Sequence, residues 1–537
     1  MNDYKAPGLA LANMWVGFIA FAAAVLLGVY QVVERIDLVP ALKSPELYFG
    51  SVSTHGVLMG FVLTTFLIMG YGYYTATTSL KQPLWNKPLA WFGFYLAVIG
   101  VLMAAAPLLT GNAFVLFTFY PPLVAHPTFY IGAVLLVVGS WVWCLEMIMS
   151  TMKWKKANPG ETIPLAMYGT TANAIMWLFT SLGVAAEVLF QLLPWSLGLI
   201  DVGLARTLFS WTLHAIVYFW LFPAYIAFYT LMPKQAGGKL LSDQMGRLAF
   251  IMLLVISVPI GFHHLYMDPF QAAGWKFLHM TGTMLVAVPT LITGFTIIAS
   301  MEIAGRLRGG KGLFGWIGKL PWNNPMVLAT GLAMLMLTFG GFGGVINASY
   351  SMNVMIHNTQ WVTGHFHLIF GGTTVIMYFA IAYYLWPKMT GKELHSNGMA
   401  LKQLWLWFIG MLVLTLPWHQ LGLDGQPRRI SSTPYDAELV EKWIIPEMAM
   451  IVGGVILLIS ALMLVYNLYR THGNQVAVAV PEVEYAEPVH SIARMPHLMN
   501  SFGFWVGLII VYLVASYGYP IAQFFLMETF GAVSWSI

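Results

Sequence analysis

The sequence predicts an all-α integral membrane protein, one transmembrane domain over residues 1–537 built from about thirteen spanning helices. Three observations predict it. The chain is 59% hydrophobic and only 9% charged, with mean hydropathy +0.74, whereas soluble domains run near a quarter charged. Its apolar residues fall in long runs, such as Phe61 to Gly70 and Ile251 to Ile260, each inside a longer uncharged stretch. About 20 such residues cross a bilayer as a helix, and the alternating strands of an outer-membrane barrel are not seen. Basic residues also crowd alternate connections.

The spans are expected at about 13–33, 51–78, 88–109, 125–151, 166–193, 202–232, 244–264, 272–300, 325–346, 360–387, 400–423, 445–470 and 500–527. The first follows a polar Met1–Leu11 and lacks a small-residue cleavage site leading into a soluble domain, so it reads as a helix and not a leader. Cys144 is the one cysteine, which excludes a disulfide and a thiolate cluster. The longest polar insert, Thr471 to Met499, carries Glu482, Glu484 and Glu487 and reads as a surface loop. With the N-terminus cytoplasmic, eighteen of the 25 lysines and arginines fall inside. An odd span count then puts the C-terminus outside.

Polar side chains in lipid are costly and mark functional sites. Six of the fourteen histidines lie in the outer half once the spans are oriented. His55 and the pair His365 and His367 start inward-running spans. His214 lies about ten residues into the sixth span, and His263 and His264 end the seventh. Positions two apart on a helix differ by roughly 200°, so His365 and His367 face opposite flanks and one helix can serve two metal centres. His214 and Tyr218, four apart, share a face. His263, His264 and His214 offer three imidazoles, which suit iron, copper or zinc. His126, His279 and His419 are expected to be hydrogen-bonding histidines and not ligands. Glu146 and Glu187 are interior carboxylates without an assigned role.

The segments Ser53-Thr-His-Gly-Val-Leu-Met59, Trp211-Thr-Leu-His-Ala-Ile-Val-Tyr-Phe-Trp220, Gly261-Phe-His-His264 and His357-Asn-Thr-Gln-Trp-Val-Thr-Gly-His-Phe-His367 resemble subunit I of the haem–copper oxidases over nearly the whole chain. Thr118-Phe-Tyr-Pro-Pro-Leu123, Pro233-Lys-Gln-Ala-Gly-Gly238, Leu313-Phe-Gly-Trp316 and Pro427-Arg-Arg429 are similar to the B family, cytochrome ba(3)-like. The resemblance implies a low-spin haem of b type held by His55 and His367. It implies a high-spin haem of a type held by His365, and one copper ion held by His214, His263 and His264. The residues themselves do not distinguish haem types. Tyr218 is the tyrosine that the family cross-links to its copper-ligating histidine. The glutamate of the A-family proton channel is replaced by Ile216, so a second proton input of that kind is not expected. Two positions depart from close relatives: Ala215 stands where B-family members have proline, and Asn353 where they have aspartate.

By the same resemblance the chain is the catalytic subunit of a respiratory terminal oxidase that reduces O2 to water, coupled to proton translocation. Three of the four electrons come from the high-spin iron and copper, and the fourth, with a proton, from Tyr218. Tyr225 and Tyr229 continue a stripe below Tyr218. With Thr290, Thr293 and Ser242 they match the family's single proton path from the inside. Arg428 and Arg429, with His357 and Asn353, are expected to hold haem propionates, because arginine pairs well with carboxylates. No paired-cysteine copper motif is present, so electrons must enter through a subunit II carrying a binuclear copper centre, fed by cytochrome c or a similar donor. A small single-helix subunit is a further expected partner, and nucleic acid is not one. The expected location is the prokaryotic inner membrane. A nitric oxide reductase shares the six histidines but replaces copper by iron, uses nearby glutamates and lacks the tyrosine. A transporter without redox function would leave the two-flank histidine arrangement unexplained.

Overall fold

The computed structural model describes every residue except 1–4, 120, 196–199, 432–436, 475–481, 493 and 528–537. The insert over 471–499 is therefore described only in part. The long helices are α1 (Pro7–Arg35), α2 (Pro45–Leu80), α3 (Lys87–Leu109), α4 (Pro127–Ala157), α5 (Leu165–Leu192) and α6 (Val202–Thr230). A shorter α7 (Asp243–Ile256) follows. Then come α8 (Ala273–Leu307), α9 (Pro325–Ala348), α10 (Gln360–Thr390), α11 (Asn397–Leu423), α12 (Val440–Gly473) and α13 (Gly503–Leu526). Among the described residues, twelve of these are long and apolar enough to cross a membrane, and the protein is an all-helical, multi-pass membrane protein.

Helix starts follow from local chemistry. Ser44, Asn86, Ser242, Asn324 and Ser396 each accept a first-turn N–H from the N-cap position. Proline enters the first turn of α2, α3, α4 and α9, where its missing N–H costs nothing. The seventh span is the exception. Helix α7 has 14 residues, about 21 Å, short of a bilayer core. Pro259 cannot donate to a continuing helix. The chain then turns through a short 3-10 segment, Phe262–Leu265, instead of completing the helix expected to about 264.

The two predicted sides hold together in space. Lys5 pairs with Glu482 at 3.0 Å, Lys234 with Glu484 at 3.8 Å, and Lys155 donates to the Asn500 carbonyl, all between predicted inner connections. On the other side Arg206 pairs with Asp268 at 2.5 Å. Lys276 donates to the carbonyls of Tyr266 and Asp268 at 2.9 and 2.8 Å.

Helix α10 lies at the centre, with 83% of its most apolar window buried, and α13 at the edge with 28%. Small residues let the helices close where lipid supplies no hydrophobic drive. A Cβ on Gly100 of α3 would fall 2.5 Å from the Gly132 carbonyl oxygen of α4, and one on Gly132 would fall 2.5 Å from that of Gly100. Gly100→Leu should therefore lower the melting temperature in detergent, overpacking of this kind costing about 1–3 kcal/mol. Gly398→Ala, where a Cβ meets nothing within 4 Å, should leave it unchanged.

Candidate metal centre

All six histidines and Tyr218 line one cavity of about 890 Å³, at the upper end of the range for ligand pockets. On one flank of α10, His367 faces His55 of α2. Their rings are 28° from parallel with centroids 6.3 Å apart. His55 Nδ1 is bonded to the Ala24 carbonyl oxygen at 2.7 Å and His367 Nδ1 to that of Thr363 at 2.9 Å. A carbonyl only accepts, so both Nδ1 atoms carry the proton and both Nε2 lone pairs are left for a metal. A π-helical stretch begins at His367 (His367–Thr374) and another follows His55 within a turn (Leu58–Leu63). Such widenings cluster at functional sites.

His365 lies on the other flank of α10. Its ring packs on α9, where a Cβ on Gly343 or Gly344 would fall 2.9 or 3.3 Å from it. A Cβ on Gly341 would meet nothing within 4 Å, and that glycine lines the cavity. The glycines of α9 thus clear a space beside the imidazole that a flat ring can occupy.

His214, His263 and His264 bring one ligand atom each to within 4.8 Å of one another. His214 Nδ1 and His263 Nε2 are 3.0 Å apart. His214 Nε2 is buried with no partner, and the Tyr218 ring lies 4.8 Å from the His214 ring. Helix α6 is interrupted at His214, where Val217 N–H bonds to the His214 carbonyl at 3.1 Å. That break exists with Ala215, without the family's proline. Three converging neutral imidazoles fit a copper ion, and the paired His55 and His367 fit an iron with both axial positions filled.

The rim residues also meet. The turn at Asn358 and Thr359 is tied to the arginine loop, with Arg428 N–H bonded to the Asn358 carbonyl at 2.9 Å and Gln360 N–H to that of Gln426 at 2.9 Å. Arg428 Nη2 donates to Asn358 Oδ1 at 3.0 Å. Arg428, Arg429, His357 and Asn353 all line the cavity, and His357 Nδ1 lies 3.2 Å from Asn353 Oδ1. Burial and the guanidiniums of Arg428 and Arg429 push the His357 imidazole down to about 4, so it is neutral at pH 7. Asn353 donates to the Asn347 carbonyl at 2.7 Å.

Sequence reasoning missed three polar groups here. Arg35 donates to Tyr48 Oη at 2.9 Å, but its Nε and Nη1 are buried without hydrogen-bond partners, as are Gln31 Nε2 and both amide atoms of Gln360. All three side chains line the cavity and fit the carboxylates of a haem edge. The signal available was Arg35 running against the charge bias.

Of the expected proton-path residues, four pair up. Tyr225 donates to Thr290 at 3.1 Å and Tyr229 to Thr293 at 2.9 Å. Thr290 also lines the cavity. Ser242 is elsewhere employed, as the N-cap of α7, accepting from Met245 N–H at 3.3 Å. His126 and His419 bond locally, to Thr128 and the Thr415 carbonyl, and not from helix to helix.

The profile described as cytochrome c and quinol oxidase polypeptide I matches residues 8–456. Cytochrome c oxidase subunit 1 of Thermus thermophilus is 39% identical, with 97% of this chain and 95% of that protein covered. The subunit 1 of Thermostichus vulcanus is 26% identical, with 77% and 75% covered. A cryo-electron microscopy structure of a haem–copper terminal oxidase dimer superposes with a TM-score of 0.89 at 36% identity, covering 96% of this chain and 92% of that one. Its fold, its six cavity histidines and these matches together make the chain a member of the cytochrome c and quinol oxidase polypeptide I family, the membrane subunit I of the haem–copper oxidases.

Proposed function

We propose that this chain is the catalytic subunit of a B-family oxygen reductase, reducing O2 to water with electrons from cytochrome c and coupling the reaction to proton translocation. The observation that carries the reading is the division of one cavity by α10: the parallel pair His55 and His367 on one flank, and His365 with the three-histidine cluster on the other. When bound, a low-spin b-type haem, a high-spin a-type haem and one copper ion supply the electrons and an open coordination position for O2.

The chain's own residues do the rest. The Ala24 and Thr363 carbonyls hold two ligand rings in one tautomer. His214 turns Nδ1 to the cluster, its Nε2 is unpartnered and its ring lies 4.8 Å from that of Tyr218, which supports a covalent link between the two and a proton donor at the reacting site. Tyr229 with Thr293 and Tyr225 with Thr290 give two hydroxyl relays in sequence toward that tyrosine. No direct hydrogen bond joins the pairs among the described residues, so water would complete the path. Ser242, held as a cap, would admit protons only at the inner mouth. Arg428, Arg429, His357 and Asn353, joined by Arg35, would bind propionates. Electrons would enter through a subunit II with a binuclear copper centre, alongside a small single-helix subunit, in a prokaryotic inner membrane with the N-terminus cytoplasmic and the C-terminus outside.

Pyridine haemochrome spectra with metal analysis of the purified enzyme test the reading. Two haems and one copper in this subunit are expected; non-haem iron in place of that copper would instead identify a nitric oxide reductase. Tyr218→Phe should cut turnover by about 10²–10⁴-fold, the usual worth of a positioned proton donor, while both haem spectra persist. Thr293→Val should slow turnover and Ser242→Ala should not, in oxygen-electrode assays at equal haem content.

A further inference from the structure

The two adjacent histidines of the cluster sit on an isolated 3-10 turn, Phe262–Leu265, between the end of α7 at Ile256 and the start of α8 at Ala273. At membrane depth such backbone survives only where protein satisfies it. Two residues of α8, one turn apart, hold this segment, His279 by its backbone and Thr283 by a side chain. His279 is fully buried. Its Nδ1 accepts the N–H of Gly261 at 3.0 Å and of Phe262 at 3.3 Å. Because Nδ1 accepts, Nε2 carries the proton and donates to the Ser516 carbonyl of α13 at 3.2 Å. The Phe262 ring lies flat on the imidazole, with centroids 3.9 Å apart and planes 6° off parallel.

Thr283 acts on the side chain. Its hydroxyl donates to the His279 carbonyl at 2.6 Å. The same oxygen, 3.0 Å from His263 Nδ1, is then left to accept. His263 must carry its proton on Nδ1, and its Nε2 lone pair is turned to the cluster, 3.0 Å from His214 Nδ1. Gly282, between the two positions, lets the loop approach: a Cβ there would fall 2.5 Å from Ile260 Cγ2.

We infer that His279 and Thr283 are positioning residues of the three-histidine centre, His279 holding the backbone that carries His263 and His264, and Thr283 holding His263 in its metal-binding tautomer. The inference rests on the reading of that cluster as the copper site. Neither residue reaches the metal; each acts through a ligand.

The test is copper retention in the purified complex. Copper and haem per chain are measured in the parent, in His279→Leu and Thr283→Val, and in His279→Asn and Thr283→Ser, which keep an acceptor. Loss of copper to a competing copper(I) chelator is then timed. His279→Leu and Thr283→Val should weaken copper binding by about 10- to 100-fold, the usual effect of removing such a partner, with both haem spectra intact. The acceptor-retaining variants should stay near the parent. Copper retained at the parent's rate in Thr283→Val, with haem intact, overturns the tautomer role even if His279→Leu fails to assemble. Unchanged retention in His279→Leu, or loss in His279→Asn equal to that in His279→Leu, overturns the backbone role. A parent without copper refutes the copper reading itself, a result distinct from any difference between variants.

Discussion

Lipid offers no hydrogen bonds, and the rest of the structure depends on that constraint. Every polar atom placed at membrane depth must find a partner inside the protein or in something the protein holds. Most of the polar side chains here obey it locally: threonines and serines bond the carbonyl a turn back, as Thr64, Thr170 and Thr330 do. Several of the departures line one cavity. His214 Nε2, two Arg35 nitrogens and the Gln360 amide are buried and unpartnered there.

The same constraint explains the irregular backbone. The π-helical stretch that starts at His367 rotates the lower part of α10 relative to the upper, and the break at His214 does the same for α6. The segment bearing His263 and His264 keeps only a 3-10 turn, where His279 of α8 accepts two of its backbone N–H groups and Thr283 meets the His263 side chain. Irregular backbone is thus placed beside these histidines, while α3 and α4 pack through glycine contacts such as Gly100 against Gly132.

Much of this was legible in the sequence, because its strongest signals are one-dimensional. Apolar run length gives the spans, lysine and arginine placement gives the sides, and a two-residue offset gives opposite flanks for His365 and His367. The stripe of Tyr225 and Tyr229 was readable as helical periodicity, and the structure pairs both with the threonines expected. What stayed hidden depends on chain segments meeting that are far apart in sequence. Nothing local marks Arg35 as facing the same cavity as Arg428. The apolar window over 244–264 reads as a full span because hydropathy is blind to the proline that ends α7. His279 was expected to bond its surroundings, and it does. That its partners are the backbone of a ligand loop required the fold.

The hydrogen bond from His279 to the Ser516 carbonyl carries a consequence for how the protein is made. Ser516 belongs to α13, which leaves the ribosome long after the cluster's three histidines, all present by residue 264. Until α13 inserts, the imidazole that organises the ligand loop lacks its acceptor. The support of the three-histidine cluster is therefore finished only once α13 has been made, and a chain that stalls before α13 would display all three histidines without it.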